Sequence, residues 1–123
     1  LFYESWYNMK FYSYKNCGTC RKAKTFLINE GIEFEEISIR DYPPSKAELN
    51  MMIDRYEGNL KPLFNTSGRD YRALNVKDMD LSRKTAVDLL NSNGNLIKRP
   101  FVVDGDKSRV GFNENNWTAI FGI

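Results

Sequence analysis

Cys17 and Cys20 are the only thiols in a chain of 123 residues that contains no histidine. Their arrangement, Cys17-Gly18-Thr19-Cys20, is that of a dithiol able to cycle with its disulfide. Without histidine, Ser-His and Cys-His catalysis, His-ligated metals and the usual neutral-pH proton shuttle are excluded. Carboxylates, lysines, tyrosines and the cysteine pair remain to carry chemistry. Three other readings of the pair stand beside redox use. Half a zinc site would need a second chain, because zinc takes four ligands and no other Cys or His is present. A structural disulfide would close a very small loop and gain little. Two inert buried thiols are the third. A placement between a strand and a helix favours the redox reading.

That placement is legible in the flanking residues. Lys10-Phe11-Tyr12-Ser13-Tyr14 reads as an aromatic strand, Lys15 to Thr19 as a loop, and a helix follows with Ala23, Phe26 and Leu27 on one face, ending at Gly31. Cys17 then lies where the first helical turn leaves N–H groups unpaired and the helix dipole favours negative charge. Arg21, Lys15 and Lys22 add positive charge. All of these favour thiolate over thiol. Cys20, one turn on, is placed to resolve a mixed disulfide on Cys17, and the small Gly18 and Thr19 leave Cys17 reachable.

The remaining elements must hold this loop in place. Phe34 to Ile39 reads as a second strand. Pro43-Pro44 breaks the chain, and Ser45 with Glu48 forms a capping box for a helix striped by Leu49, Met52, Ile53 and Tyr56 and ended by Gly58. Pro62 suits the first position of a short helix through Leu63 and Phe64. Asn65 to Asp70 reads as a polar turn. Leu81-Ser82 opens a helix with Ala86, Leu89 and Leu90 inward, and Asn93-Gly94-Asn95 is a turn. Phe101-Val102-Val103 and Arg109-Val110-Gly111-Phe112 flank the Asp104-Gly105-Asp106 turn as a hairpin. Asn113 caps a last helix carrying Trp117, Ile120 and Phe121. The order β-α-β, helical block, β-β-α is that of a thioredoxin-like α/β fold with a mixed four-stranded sheet.

Length and composition fit one compact domain: 41% hydrophobic, 14% aromatic, 28% charged, net charge +2. That charge rules out a polybasic tail, and no apolar run approaches the roughly 18 residues that span a bilayer. The half-aromatic segment Leu1–Asn8 shows no signal-peptide pattern. It reads as a cloning remnant or N-terminal extension ahead of a native start at Met9, with 9–123 as the domain.

Several segments resemble the ArsC/Spx family. Tyr14-Lys15-Asn16-Cys17-Gly18-Thr19-Cys20-Arg21-Lys22-Ala23-Lys24 is similar to its N-terminal signature. Pro43-Pro44-Ser45-Lys46-Ala47-Glu48-Leu49 agrees in order and spacing, as does Leu63-Phe64-Asn65-Thr66-Ser67-Gly68 with Tyr71-Arg72-Ala73-Leu74. So does Ile97-Lys98-Arg99-Pro100 with Val110-Gly111-Phe112-Asn113-Glu114. The similarity runs from about Met9 to Phe121 and is greatest to the Spx/MgsR-like or ArsC-like thiol reductase branch. It implies a thioredoxin-like fold with a helical insertion, matching the block from Pro44 to Asn93. It also implies that Pro100, otherwise an ordinary strand-entry proline, is a cis-proline facing the cysteine loop.

The resemblance assigns roles by position. In arsenate reductases the nucleophile aligns with Cys17 and oxyanion-holding arginines with Arg99, Lys61 and Phe112. Lysine supplies charge without a bidentate fork, and phenylalanine supplies neither. In Spx-type regulators Cys17 and Cys20 are a redox switch, and the contact with the RNA polymerase α subunit aligns with Gly58 and Arg99. Gly58 also reads as a helix C-cap and Arg99 as a thiolate partner. Asn65-Thr66-Ser67-Gly68 looks more like the enzyme branch.

The expectation is a cytoplasmic thiol–disulfide oxidoreductase with Cys17, Cys20 and Arg99 catalytic and Pro100, Lys61, Gly18 and Thr19 binding substrate. It implies no bound cofactor and no metal. Its reductant would be a low-molecular-weight thiol such as glutathione or bacillithiol, or a thioredoxin system. A redox-sensing regulator that binds the RNA polymerase α C-terminal domain is the alternative, and arsenate reduction the third; no direct nucleic-acid or membrane contact is implied.

Other signals have plainer readings. Tyr12, Tyr14 and Trp117 read as packing residues rather than a binding face. Glu33, Glu35 and Glu36 read as the solvated side of an edge strand. Arg69, Arg72, Arg83 and Lys84 read as solvated helix charges.

Overall fold

The computed structural model describes residues 8–122; of Leu1–Asn8, only Asn8 falls inside that range. β1 (Lys10–Ser13) runs parallel to β2 (Glu35–Ser38) and is joined to it by α1 (Gly18–Asn29). The inserted block follows, with α2 (Lys46–Arg55), α3 (Arg69–Ala73) and α4 (Arg83–Ser92). β3 (Phe101–Val103) pairs antiparallel with β1 and with β4 (Arg109–Val110), and α5 (Glu114–Phe121) closes the chain. The sheet order is β2-β1-β3-β4, the expected mixed four-stranded sheet. Among the described residues no helix is long and apolar enough to cross a membrane.

Strand alternation divides the core into two layers. Phe11 and Val102 face α1 and α5, where Met9, Ala23, Phe26, Leu27, Trp117 and Phe121 are buried. Their neighbours Tyr12 and Phe101 face the opposite way, onto Leu49, Met52 and Ile53 of α2 and Ala86, Val87 and Leu90 of α4. Trp117 is 1% exposed and meets Phe26, Phe112 and Phe121 edge-on. Such aromatic pairs contribute about 0.5–1.5 kcal/mol each beyond burial. Tyr12 and Trp117 are therefore packing residues.

The structure departs from expectation where backbone geometry overrides pattern. β4 stops at Val110 because Gly111 takes φ +75° and donates its N–H to the Pro100 carbonyl at 2.8 Å. That turn aims Phe112 at Phe26 and Trp117. The polar stretch expected as a turn contains the start of α3. Asn93-Gly94-Asn95 leads into a 3₁₀ turn, Gly94–Leu96. α2 ends in paired bonds from Glu57 N–H to Asp54 O and from Gly58 N–H to Ile53 O, a Schellman motif. Its left-handed region includes Glu57 at φ 58° as well as Gly58 at φ 85°.

One polar cluster fastens the insertion to the sheet. The Ser45 capping box forms as expected, and the Glu48 carboxylate that completes it also accepts from Tyr12 Oη at 2.8 Å and Lys10 Nζ at 3.3 Å. Burial alone would raise the Glu48 pKa, but the Ser45 N–H, the Tyr12 hydroxyl and Lys10 outweigh it and hold it below the ordinary 4.5. A depressed carboxylate adds stability that is present above the ordinary value and is lost as pH falls through the folded one. Urea midpoints should therefore drop as pH falls below 4.5. Glu48→Gln should be less stable at neutral pH and show a flatter acid limb. Parallel acid limbs in the two proteins would remove Glu48 from this role.

Candidate dithiol site

Cys17 is the N-cap of α1, and its sulfur accepts the Cys20 N–H at 3.1 Å. The Cys17 N–H donates to the Tyr14 carbonyl at 3.0 Å, fixing the loop to the end of β1. Sulfur is a weak acceptor, so the start of the helix also depends on burial of Ala23, Phe26 and Leu27. Gly18 and Thr19 are exposed, and Cys17 is half-buried. Cys20 is 3% exposed. Burial pushes its pKa up, to about 12, with the hydrogen bond and charge of Cys17 adding to the rise; a Tyr14 backbone hydrogen bond and the charge of Arg99 oppose it. Neither cysteine is in a disulfide.

The Arg99–Pro100 bond is cis, as expected. Arg99 is brought to the site through Tyr14, its Cζ lying 5.0 Å from the Tyr14 ring centroid. Arg40, which no sequence pattern singled out, places its Cζ at the same 5.0 Å. Its Nη1 donates to Tyr14 Oη at 2.9 Å. The Asn16 amide, followed by Arg40 and Lys15, lowers the Tyr14 pKa. Tyr14 therefore ties both cysteines through its backbone to two arginines through its ring, each cation–π contact being worth about 0.5–1 kcal/mol when exposed. No ion pair among the described residues joins Lys61 to this group. Lys61 is exposed in the 3₁₀ turn Lys61–Leu63. That turn meets the approach to Arg99 through Lys98 N–H to Leu63 O, at 2.8 Å.

A cleft of about 930 Å³ opens beside the pair, lined by Tyr14, Cys20, Arg21, Arg40, Asn93 and Asn95 among others. It lies at the carboxyl ends of the parallel strands β1 and β2, the usual ligand position in α/β sheets; that rule was the available signal for Arg40. The Asn93 and Asn95 amides both hold Asp70 Oδ2 at 3.1 Å. Gly94 lets this wall close, because a Cβ there would overlap the Ile39 carbonyl oxygen next to Arg40. Glu36 is not merely solvated: it takes Lys24 Nζ and Ser13 Oγ, each at 2.9 Å.

A Cys-x-x-Cys helix start combined with a cis-proline strand on a mixed sheet defines a thioredoxin-like protein with an inserted helical block. The ArsC family model matches residues 12–120, and the chain belongs to that family. It is 47% identical over 116 residues to the uncharacterized protein YusI of Bacillus subtilis, covering 89% of this chain and 98% of that one. It is 30% identical over 104 residues to the global transcriptional regulator Spx of Streptococcus pyogenes, covering 85% and 78%. Its fold matches the crystal structure of a possible arsenate reductase from Streptococcus mutans with TM-score 0.81, 38% identity and coverage of 87% and 92%.

The two sulfurs differ in access, and burial holds Cys20 as the thiol, so alkylation should separate them. Iodoacetamide at pH about 8 should modify Cys17 and spare Cys20, as read by peptide mass spectrometry. Equal labelling of both in the folded protein would contradict the geometry.

Proposed function

We propose that this chain is a thiol–disulfide oxidoreductase with Cys17 as nucleophile and Cys20 as resolving thiol. The asymmetry of the two sulfurs carries the reading: Cys17 is half-buried at a helix start and Cys20 is buried one turn on with its pKa raised. The Cys17 thiolate attacks one sulfur of a substrate disulfide. The substrate S–S bond breaks, one thiolate leaves, and a mixed disulfide forms on Cys17. That step removes the Cys17 charge and hydrogen bond that help to raise the Cys20 pKa. Cys20 then gives up its proton and attacks the Cys17 sulfur, releasing the second substrate thiolate. Two protein thiols are oxidised to a disulfide and one substrate disulfide is reduced to two thiols. Glutathione, bacillithiol or a thioredoxin-type protein would return the dithiol. In this reading Arg99 supplies positive charge beside the pair, Gly18, Thr19 and Pro100 border the substrate, and Lys61 adds charge farther out.

The similarity to Spx supports a second reading, a redox switch that binds the RNA polymerase α C-terminal domain. Gly58 is exposed, as that contact would require, and Arg99 lies beside the cysteines. Both readings place the protein in the cytoplasm. Arsenate reduction fits less well, because Phe112 packs on Phe26 and Trp117 where an anion donor would be needed.

Cys17→Ser should abolish reduction of a model mixed disulfide, and Cys20→Ser should accumulate a covalent adduct on Cys17, visible by intact mass. Full turnover by Cys17→Ser would end the enzyme reading. Absent turnover with capture of the polymerase domain by the wild type would establish the second.

A further inference from the structure

The charges of the cleft beside Cys20 are unevenly matched. Lys24 and Glu36 neutralise each other at 2.9 Å. Lys15, Arg21 and Arg40 then face a single lining carboxylate, Asp41. Lys15 and Arg21 have no ion-pair partner among the described residues, and Arg21 Nη1 donates only to the Lys15 carbonyl, at 3.3 Å. Asp70 feels the charge of Arg40, but its carboxylate is held by the amides of Asn93 and Asn95. Arg40 is anchored by one nitrogen on Tyr14 Oη, and among the described residues its guanidinium forms no salt bridge to a carboxylate. A planar guanidinium fixed on one side and open on the other suits a carboxylate. At about 930 Å³ the space has the size of a small-molecule site.

We propose that this cleft is the subsite for the anionic, carboxylate-bearing end of the disulfide that Cys17 attacks, with Arg40 as the residue that grips it. The inference rests on the oxidoreductase reading and adds its substrate class. The reacting sulfur engages Cys17 while the carboxylate reaches past Cys20 to the end of β2. Tyr14 serves both ends, carrying Arg99 beside the cysteines and Arg40 in the cleft.

Two small disulfides separate the charge effect from the chemistry: dithiobis(nitrobenzoate), which is dianionic, and dithiodipyridine, which is neutral. Rates with the reduced wild type, Arg40→Gln and Lys77→Gln are compared at low and high salt. Lys77 is exposed in the 3₁₀ turn Val76–Asp78 and does not line the cleft. Arg40→Gln should slow the anionic disulfide about fivefold, the scale of an exposed ion pair, and leave the neutral one unchanged. Salt should slow only the anionic reaction of the wild type, and Lys77→Gln should match the wild type. The inference is overturned if Arg40→Gln keeps the preference, if Lys77→Gln loses as much, or if Arg40→Gln slows both disulfides alike. If the wild type reacts with neither, the oxidoreductase reading fails first and the subsite with it.

Discussion

The site depends on one constraint: α1 must begin at Cys17, directly off the end of the central strand β1. The sulfur of Cys17 caps the helix by accepting the Cys20 N–H, a task usually given to an oxygen. A thiol cap is too weak to place a helix by itself. The Tyr14 carbonyl that receives the Cys17 N–H, and the burial of Ala23, Phe26 and Leu27 against Phe11 and Trp117, supply the remaining hold. One consequence is that the half-buried Cys17 and the buried Cys20 cannot exchange roles. The helical turn between them puts Cys20 into the protein wherever Cys17 faces outward.

The insertion builds the other half of the site. Its attachment to β1 runs through Glu48, and its far end returns through Asn91 Nδ2 to the Pro44 carbonyl at 3.0 Å and through Gly94 against the Ile39 carbonyl. These contacts set Gly94 against the Ile39–Arg40 backbone, so that Asn93, Asn95 and Arg40 line the same cleft. A helical block distant in sequence from the cysteines thereby determines the shape of the space next to them. Changes in the Ser92–Asn95 wall should act on what fits the cleft, and changes in Cys17 or Cys20 on whether exchange occurs.

Much of this was legible in the sequence. The strand–Cys-x-x-Cys–helix unit, the Ser45/Glu48 box, the caps at Ser82 and Asn113 and the apolar faces of α1 and α2 are local patterns, and they form as read. The misses are not local. α3 is short and has no fully buried residue, so it carries no periodic apolar stripe to detect. β4 is cut short by a left-handed Gly111 that pattern alone extends through. Arg40 and the 92–95 wall come together only because β1 and β2 are parallel and Gly94 permits close approach. Lys61, whose role was suggested by alignment, sits exposed in the 3₁₀ turn Lys61–Leu63.

The distribution of cations around the dithiol argues about the kind of anion the site can hold. A compact oxyanion needs several donors converging on the Cys17 sulfur. Phe112 removes one such direction by closing an aromatic cluster with Phe26 and Trp117, and Lys61 offers a point charge without a fork. The basic groups that remain are spread from Arg99 across Tyr14 to Arg40, Arg21 and Lys15 along the cleft. Charges distributed over a cleft suit an extended ligand whose anionic group is separate from its reacting sulfur. They match a small, highly charged ion poorly. Under the proposed oxidoreductase reading, the two arginines held on one tyrosine ring suit a disulfide with a charged tail better than an inorganic oxyanion.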